Sequence, residues 1–433
     1  MLEKLFKLSE HGTTVKTEVL AGITTFMTMG YILIVNPLIL SETGMDFGAL
    51  ITATAISGAI ATLFMAFFAN LPFALAPGMG LNAFFAYAVV IGMGYPWQFA
   101  LTAVFLEGII FLILTFFNIR EAIVNSIPIN LKHSISAGIG LFIAFIGLQN
   151  AGIIVNNDAT LVGLGHLGSP AAMIAITGLV IAGVLHIKRV TGALIIAIIV
   201  GTIIGLFFGV TRLPEGLKFL SAPASLSPIF FKFDFSRIFS LDMVVVLFTF
   251  LFVDMFDTVG TLVGVASKAD MLDEEGRLPG VKMALFADAV GTTAGACLGT
   301  STVTTYVESA AGVAEGGKTG LTAFTVAIGF LLALFMSPII IMIPAAATAP
   351  ALIMVGIFMM SPIQKVDMDD FSEAIPAFLT LIMMPLTYSI SEGIVFGIVS
   401  YVVLKYLTGK AKDVSLVTLV IAVIFLLAKI LMK

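Results

Sequence analysis

Three carboxylic acids stand inside segments of the sequence that are otherwise made of apolar residues: Asp254, Asp257 and Glu308. A carboxylate accepts hydrogen bonds from paired N–H groups, and it can also take up or release a proton. At the centre of a bilayer each acid costs about 2.5–3.5 kcal/mol on insertion scales. This cost indicates that the acids bind a ligand or pair with another group, so they are candidate site residues.

The spacing of these acids suggests how they are presented. Asp254, Asp257 and Thr261 in FLFVDMFDTVGTLVG are three and four residues apart, which predicts that they lie along one face of a helix. Glu308 follows the hydroxyl-rich run 300–305, whose alternating β-branched residues are typical of extended backbone. A site at the end of an extended segment is therefore predicted around Glu308.

The competing interpretation for each acid is a structural one, in which the carboxyl group binds a donor on a neighbouring helix. That interpretation is strongest for Asp254, and we also apply it to four further acids, which we expect to be structural or gating residues: Glu107, Asp288, Glu315 and Glu392. A metal site is not expected, because the four histidines are scattered over loops and segment ends.

The elements that must position these residues are membrane helices. The chain has 433 residues, of which 59% are hydrophobic and 11% charged, and its mean hydropathy is +1.13. A soluble domain carries about 25% charged residues, so that class is excluded. Recurring apolar runs of about 17–25 residues predict an all-α polytopic protein surrounded by lipid. No basic run with interleaved aromatics points to nucleic acid.

Fourteen apolar runs are predicted to cross the membrane: 19–36, 49–69, 73–93, 97–117, 131–149, 171–186, 191–210, 241–265, 283–299, 300–315, 319–337, 345–360, 371–387 and 389–406. A last apolar tail, 414–431, is either a fifteenth span or a helix at the membrane interface. Seven runs precede the long loop 211–240 and seven follow it. Because seven is odd, the two halves run in opposite senses, which is the arrangement of an inverted repeat.

Positive charge orients these spans. Lys and Arg concentrate in the arm 1–18 and then on every second connection, whereas the short loops SETGMD, GYPWQ and VNNDAT have none. The positive-inside rule therefore predicts a cytoplasmic N-terminal arm in the cell membrane, with the loop 211–240 on the outside. That loop carries basic residues too, but it is the longest one, where the rule is weakest.

The third segment of each half is predicted to be broken. Pro72 and Pro77 disfavour helix in LPFALAPGMGLNAFF, and the run 300–305 favours extended backbone. Extended backbone at membrane depth needs partners for its polar groups, so we expect the two segments to cross and to pair as short strands. Their half-helices then aim their N-termini at one point, with Asn82 and Glu308 in equivalent places.

Three stretches, PGMGLNAFFAY, FVDMFDTVGTL and TTYVESAAGVAEGGKTGLTA, resemble signature segments of purine permeases of the AzgA-like branch of the nucleobase:cation symporter-2 family. The similarity extends over essentially the whole chain. It implies fourteen spans in two inverted sevens, with short antiparallel strands in the two broken helices. A core domain is then formed by 19–117 and 241–337, a gate domain by 118–210 and 338–408, and 409–433 is an apolar tail.

The resemblance also implies uptake of a nucleobase with a cation, usually H⁺, without another cofactor and without enzymatic activity. The base-binding acids of relatives fall by motif on Asp257 and Glu308. The position of Thr261 is a histidine in uracil-permease-like members, so the threonine fits the purine branch and leaves the proton route open, and Na⁺ is not excluded. Asn82 matches an asparagine of the AzgA-like branch.

The expected roles follow from these residue types. Glu308 accepts from the N–H edge of a purine, while Asp257 accepts as well or exchanges the coupling proton. Asn82 reads a carbonyl or ring nitrogen. Asp254 is a further candidate for proton coupling, and the remaining candidates for substrate binding are Gly80, Phe84, Thr261, Val307 and Ser309.

Several alternatives stay open at the level of sequence. An anion exchanger of the same architecture, such as a sulfate transporter, would need a cationic or acid-free pocket. A uracil or xanthine permease is less favoured. A channel would have a continuous polar stripe across several spans, whereas here the polar residues cluster at one depth. An enzyme needs a nucleophile–base pair or a metal site, and the sequence shows neither. The preferred purine and the possible formation of a homodimer are not determined.

Overall fold

The computed structural model describes residues 2–116, 128–211, 220–268, 271 and 278–431. The helices of the first half are α1 (Leu2–Phe6), α2 (Val15–Met29), α3 (Ile32–Ser41), α4 (Phe47–Phe64), α5 (Met79–Ala83), α6 (Trp97–Phe116), α7 (Ile129–Asn150), α8 (Pro170–Ile187) and α9 (Ala193–Phe207). Those of the second half are α10 (Leu241–Lys268), α11 (Val281–Leu298), α12 (Ser309–Ala314), α13 (Gly320–Ala333), α14 (Ser337–Ile341), α15 (Ala345–Met360), α16 (Phe371–Leu386), α17 (Ile390–Leu407) and α18 (Leu416–Leu431).

Several α-helices continue as π-helical or 3₁₀ turns. π-helical turns extend α4 over Met65–Ala69 and α5 over Phe84–Gly92, and 3₁₀ turns follow α13 at Leu334–Met336 and α15 at Ser361–Lys365. The predicted boundary between residues 117 and 118, and positions 212–219 of the predicted loop, lie outside the described residues.

The described segments confirm the helical membrane fold. Eight of them are long and apolar enough to cross a bilayer by themselves, and the other crossings are shorter or broken. Within the described residues, seven crossing segments precede the 211–240 connection and seven follow it. The first crossing starts at Val15 rather than 19, because the Thr14 hydroxyl accepts from Thr17 N and caps α2 there.

Contacts between connections confirm the alternation of direction. Glu18, at the start of the first crossing, accepts from Lys318 N at 2.9 Å, just after the tenth. Lys410 follows the fourteenth crossing and pairs with Asp370, which precedes the thirteenth, at 2.6 Å. These contacts place the start of the first crossing beside the end of the tenth, and the start of the thirteenth beside the end of the fourteenth, as the predicted alternation requires.

The two broken segments pair as predicted. Strand β1 (Leu75–Pro77) runs antiparallel to β4 (Val303–Thr305), with Ala76 opposite Thr304. The hydrogen bonds from Gly78 N to Thr302 O and from Tyr306 N to Ala74 O, both 2.9 Å, extend the ladder at its ends. The strands thus supply the partners that extended backbone lacks in lipid.

A second hairpin, β2 (Ile154–Asn157) with β3 (Leu161–Leu164), lies between α7 and α8 and was not predicted. Its turn is closed by the side chain of Asn157, whose Oδ1 accepts from Ala159 N at 3.0 Å and Thr160 N at 3.2 Å. The strands are four residues long, too short for a periodic pattern to stand out from a polar loop.

Packing divides the helices into two groups. In one group α11 packs against α4 and α6, and α13 packs against α2 and α4. In the other, α7 packs against α15 and α16, and α16 packs against α17. The division into a core domain and a gate domain that move relative to each other remains a prediction.

The apolar tail forms α18 and returns along the bundle. Its Phe425 ring packs edge-on against Phe248 in α10, with ring centroids 5.3 Å apart. Ile421 and Ala422 are buried beside it. The tail helix therefore packs against α10 and α17.

Candidate functional site

A cavity of about 820 Å³ lies where the broken segments meet the second helix group. Its walls come from the start of α5, the middle of α10, the β4–α12 junction and the facing sides of α7 and α15. Of the predicted site residues, those that line it are Gly80, Asp257, Thr261, Val307 and Glu308. The crossing strands thus bring together residues from both halves of the chain.

Glu308 is the residue immediately before α12, and its position is fixed by the first crossing. The hydroxyl of Tyr31 donates to Glu308 Oε1 at 2.6 Å, and Thr28 Oγ1 lies 3.5 Å from the Glu308 carbonyl oxygen. Tyr31 lines the cavity and is 1% exposed. Tyr31 was not named as a site residue in the sequence analysis, although a hydroxyl group inside an apolar span is a recognisable sign of a buried polar contact.

Asp257 faces the cavity from α10, and the Thr304 hydroxyl hydrogen-bonds its carboxyl group. Thr304 is part of β4, so this contact joins α10 to the crossing strands. Thr261, one turn further along α10, also lines the cavity.

Asp254, which was predicted to share a helical face with Asp257 and Thr261, does not line the cavity. Asp254 is fully buried outside the lining, where it accepts from the Thr258 hydroxyl at 3.0 Å. The same hydroxyl contacts Asp288 Oδ1 at 2.8 Å. About the axis of α10, Asp254 points about 60° and Thr261 about 40° to the same side of Asp257, so helix rotation alone does not separate them. The Thr258 hydroxyl, which also contacts Asp288, holds the Asp254 carboxyl group outside the cavity.

Three further predicted residues do not line the cavity. Asn82 is fully buried, where its Oδ1 accepts from the Ser301 hydroxyl. The Ser309 hydroxyl accepts from Ala74 N at 3.0 Å, and Phe84 packs edge-on against Phe250. Asn82 and Ser309 thus join the two broken segments to each other, whereas Phe84 packs the first half-helix against α10.

Two predicted backbone positions do reach the cavity. Gly80 lies in the first turn of α5, where a Cβ atom would sit 2.8 Å from Ile139 Cγ2. Val307 is 46% exposed at the start of the other half-helix. The first N–H groups of a helix have no carbonyl one turn earlier, so they are free to donate to a ligand.

The opposite end of the cavity is basic. In the sequence analysis its lysines served only to predict the orientation of the chain in the membrane. Lys132, His133 and Ser136 project from one face of α7, and Lys365 closes the 3₁₀ turn after α15. The cavity therefore runs from an acidic inner end to a basic mouth on the side of the N-terminal arm.

The inner end offers mainly hydrogen-bond acceptors. The carboxyl groups of Asp257 and Glu308 face the cavity, while the Tyr31 hydroxyl donates to Glu308 and the Tyr306 hydroxyl to the Pro77 carbonyl at 2.5 Å. Such a site suits a small ligand with several N–H donors along its edges. Within the described residues, no group of three or more His, Cys, Asp or Glu could hold a metal ion.

Solved structures share the fold at low sequence identity. The transmembrane domain of the cyanobacterial bicarbonate transporter BicA matches 88% of this chain and 97% of its own, with a TM-score of 0.64 and 16% identity. The murine solute carrier 26 family member A9 anion transporter, in the inward-facing state, matches 90% of this chain and 68% of its own, with a TM-score of 0.60 and 12% identity.

Closer relatives are found by sequence. A putative permease of Methanocaldococcus jannaschii is 52% identical over 98% of this chain and 97% of its own. The adenine permease AdeP of Escherichia coli strain K12 is 45% identical over 99% and 95%, respectively. The guanine/hypoxanthine permease PbuG of Bacillus subtilis strain 168 is 44% identical over 100% of both chains. Residues 16–396 match the Permease family Xan_ur_permease, so this chain belongs to that family of permeases.

Proposed function

We propose that this protein carries purine bases across the cell membrane together with protons. The observation that carries the proposal is the pair of carboxyl groups, Asp257 and Glu308, that face one cavity where the two broken segments cross. The names of its relatives, which are adenine and guanine/hypoxanthine permeases, support a purine as the substrate.

In this mechanism Glu308 accepts from the N–H edge of the base, and Tyr31 fixes the orientation of its carboxyl group. Asp257 accepts from a second N–H group or exchanges the coupling proton. The backbone N–H groups near Gly80 and Val307 donate to a ring nitrogen or carbonyl of the base. Together these contacts recognise a heterocycle that carries both donors and acceptors.

Proton coupling has a physical reason in this site. Carrying two buried charges across a membrane is costly, and a proton on one carboxyl group removes one of them. The coupling ion is H⁺ in this proposal, and a requirement for Na⁺ during uptake would replace it.

The distribution of Lys and Arg supports a cytoplasmic N-terminal arm. In this proposal the basic end of the cavity at Lys132 and Lys365 faces the cytoplasm. Transport follows when the group containing α4, α11 and α13 moves against the group containing α7 and α15, which moves the site between the two faces.

The substitutions Glu308→Gln and Asp257→Asn test the proposal directly. Each keeps the side-chain size but removes the carboxylate, so we expect uptake of labelled adenine, guanine or hypoxanthine to fall by about 10- to 100-fold, the range for losing a hydrogen bond to a charged group. Uptake is measured in cells with and without a protonophore, and membrane abundance is measured in parallel.

Glu315→Gln is the matched control, because Glu315, for which the sequence suggested a structural or gating role, is an exposed acid at the end of α12 and does not line the cavity. It is expected to transport at the wild-type rate. Normal uptake by both site variants would contradict the assignment.

An anion exchanger is the weaker alternative. The solved bicarbonate and anion transporters share only the fold, and two carboxyl groups at the inner end of the cavity oppose an anion there. Competition of labelled hypoxanthine uptake by purines, uracil, xanthine, sulfate and bicarbonate distinguishes these substrates.

A further inference from the structure

The two ends of the cavity differ in chemistry. Carboxyl groups of Asp257 and Glu308 line the inner end, while the ammonium groups of Lys132 and Lys365 line the mouth together with the His133 ring. A purine base, as the proposed substrate, uses only the inner end, because it is uncharged and has no group for three basic side chains to bind.

The distance between the ends is set by two separate elements. Ile139 and Met359 both approach Gly80 at the inner end of the cavity. Lys132 lies seven residues before Ile139 in α7, which is about 10 Å of helix rise. Lys365 lies six residues after Met359, along the end of α15 and the 3₁₀ turn, again about 10 Å.

The basic residues of the mouth lie inside the cavity, although basic residues on the open surface would be enough to orient the protein in the membrane. Lys188 and Arg189 follow α8 on the same side of the bundle, and both are exposed outside the cavity. Lys132 and His133 are half-buried in the first turn of α7 and line the cavity with Ser136. Basic groups inside a partly enclosed cavity bind an anion more strongly than the same groups on an open surface.

We infer that the cavity also binds purine nucleoside 5′-monophosphates, with the base at the carboxyl groups and the phosphate at Lys132, His133 and Lys365. The separation of about 10 Å is comparable to the distance from the far edge of a purine to the phosphorus of its 5′-monophosphate. The inference rests on the proposed function, because the base is held by the proposed substrate site.

Such a ligand acts as an inhibitor rather than a substrate. Its phosphate is charged and held at the mouth, so closing the cavity around the ligand carries a large free-energy cost. It enters from the side on which Lys132 lies, and it occupies the position of the base. The phosphorylated form of the cargo would therefore slow further uptake when it accumulates on that side.

The experiment measures displacement of a labelled purine base from the purified protein by unlabelled competitors. The competitors are AMP, IMP and GMP, with the matching nucleosides, ribose 5-phosphate and inorganic phosphate as controls. We expect at least one monophosphate to displace the base at least about tenfold more strongly than its nucleoside, since a charge-assisted contact to phosphate is worth about tenfold or more.

The double variant Lys132→Gln/Lys365→Gln is expected to weaken displacement by the monophosphate about tenfold and to leave the affinity for the base within about twofold. The matched control, Lys188→Gln/Arg189→Gln, removes two basic groups outside the cavity and is expected to change neither affinity. Retained base binding shows that a variant is folded.

The inference is overturned if the nucleoside competes as well as its monophosphate, if inorganic phosphate competes equally, or if the two double variants behave alike. In each of these cases wild-type protein still binds the base, so the proposed function survives. Failure of wild-type protein to bind any purine base would overturn the proposed function and this inference with it.

Discussion

At the scale of single residues, Glu18 illustrates how this protein stabilises a buried acid. In the sequence analysis this residue was placed at the end of the N-terminal arm 1–18. Glu18 is fully buried away from the cavity. Its carboxylate accepts from Lys318 N at 2.9 Å and Thr319 N at 3.2 Å, and from the Thr322 hydroxyl at 2.6 Å. Glu18 therefore caps the start of α13 and ties it to α2, which is a structural role.

Replacement of Glu18 by Gln is predicted to lower the free energy of unfolding by about 1–3 kcal/mol, because an amide N–H₂ then faces backbone donors. The measurement is the thermal unfolding of the purified protein in detergent. Glu10→Gln, at a side chain that is 68% exposed, is the control and is expected to stay within about 0.5 kcal/mol. Equal effects of the two substitutions would argue against the capping role.

At the scale of elements, helices α7 and α15 approach each other through glycine. A Cβ atom at Gly356 would lie 2.5 Å from the Gly140 carbonyl oxygen and 2.7 Å from Ala144 Cβ. Both elements form walls of the cavity and carry residues of its mouth. Their close contact therefore sets the shape of one side of the site.

We predict that Gly356→Ala lowers the free energy of unfolding by about 1–3 kcal/mol, because the new methyl group forces the two helices apart. Gly183→Ala in α8 is the matched control, since a Cβ atom there meets no heavy atom within 4 Å. The control is expected to be neutral or slightly stabilising, because alanine favours helix over glycine. Thermal unfolding of both variants decides the question, and a neutral Gly356→Ala would show that the helices adjust freely.

At the scale of the whole molecule, the cavity is closed on the side opposite its basic mouth. Ile139 lines the cavity, and Phe142, three residues further along α7, contacts the ring of Tyr388 with centroids 5.3 Å apart. Tyr388 also packs edge-on against Tyr87, whose hydroxyl donates to Glu42 at 3.0 Å. These contacts join the extension of α5 to α7 and to the turn before α17, so they must separate if the site is to open to the other side.

Substitution Tyr388→Ala is predicted to open the cavity to that opposite side. A single cysteine at Ser136, introduced after Cys297→Ser, reports this through labelling by membrane-impermeant maleimide in right-side-out and inside-out vesicles. Labelling from the Lys132 side alone is expected in the parent. Labelling from both sides is expected after Tyr388→Ala, and the parent pattern is expected after Tyr388→Phe, which keeps the ring. Unchanged sidedness in the alanine variant would show that Tyr388 does not form the closure.

The sequence by itself determined the membrane class, the two sets of seven crossings and the two broken segments, and it singled out Asp257 and Glu308, which both line the cavity. These properties are local: apolar run length, the conformational effect of proline, and the cost of a charge in lipid can each be read from a short stretch.

Only the tertiary structure decided which side chains face the cavity. Asn82 and Asp254 are buried and do not line it, while Tyr31 and the basic mouth at Lys132 belong to it. The rotation of a helix about its axis is fixed by what packs against it, and here the partners come from distant parts of the chain: Tyr31 meets Glu308, and Ser301 meets Asn82. The residues that surround one partner in the sequence do not indicate which distant residue it will contact, so these contacts could not be predicted from the sequence.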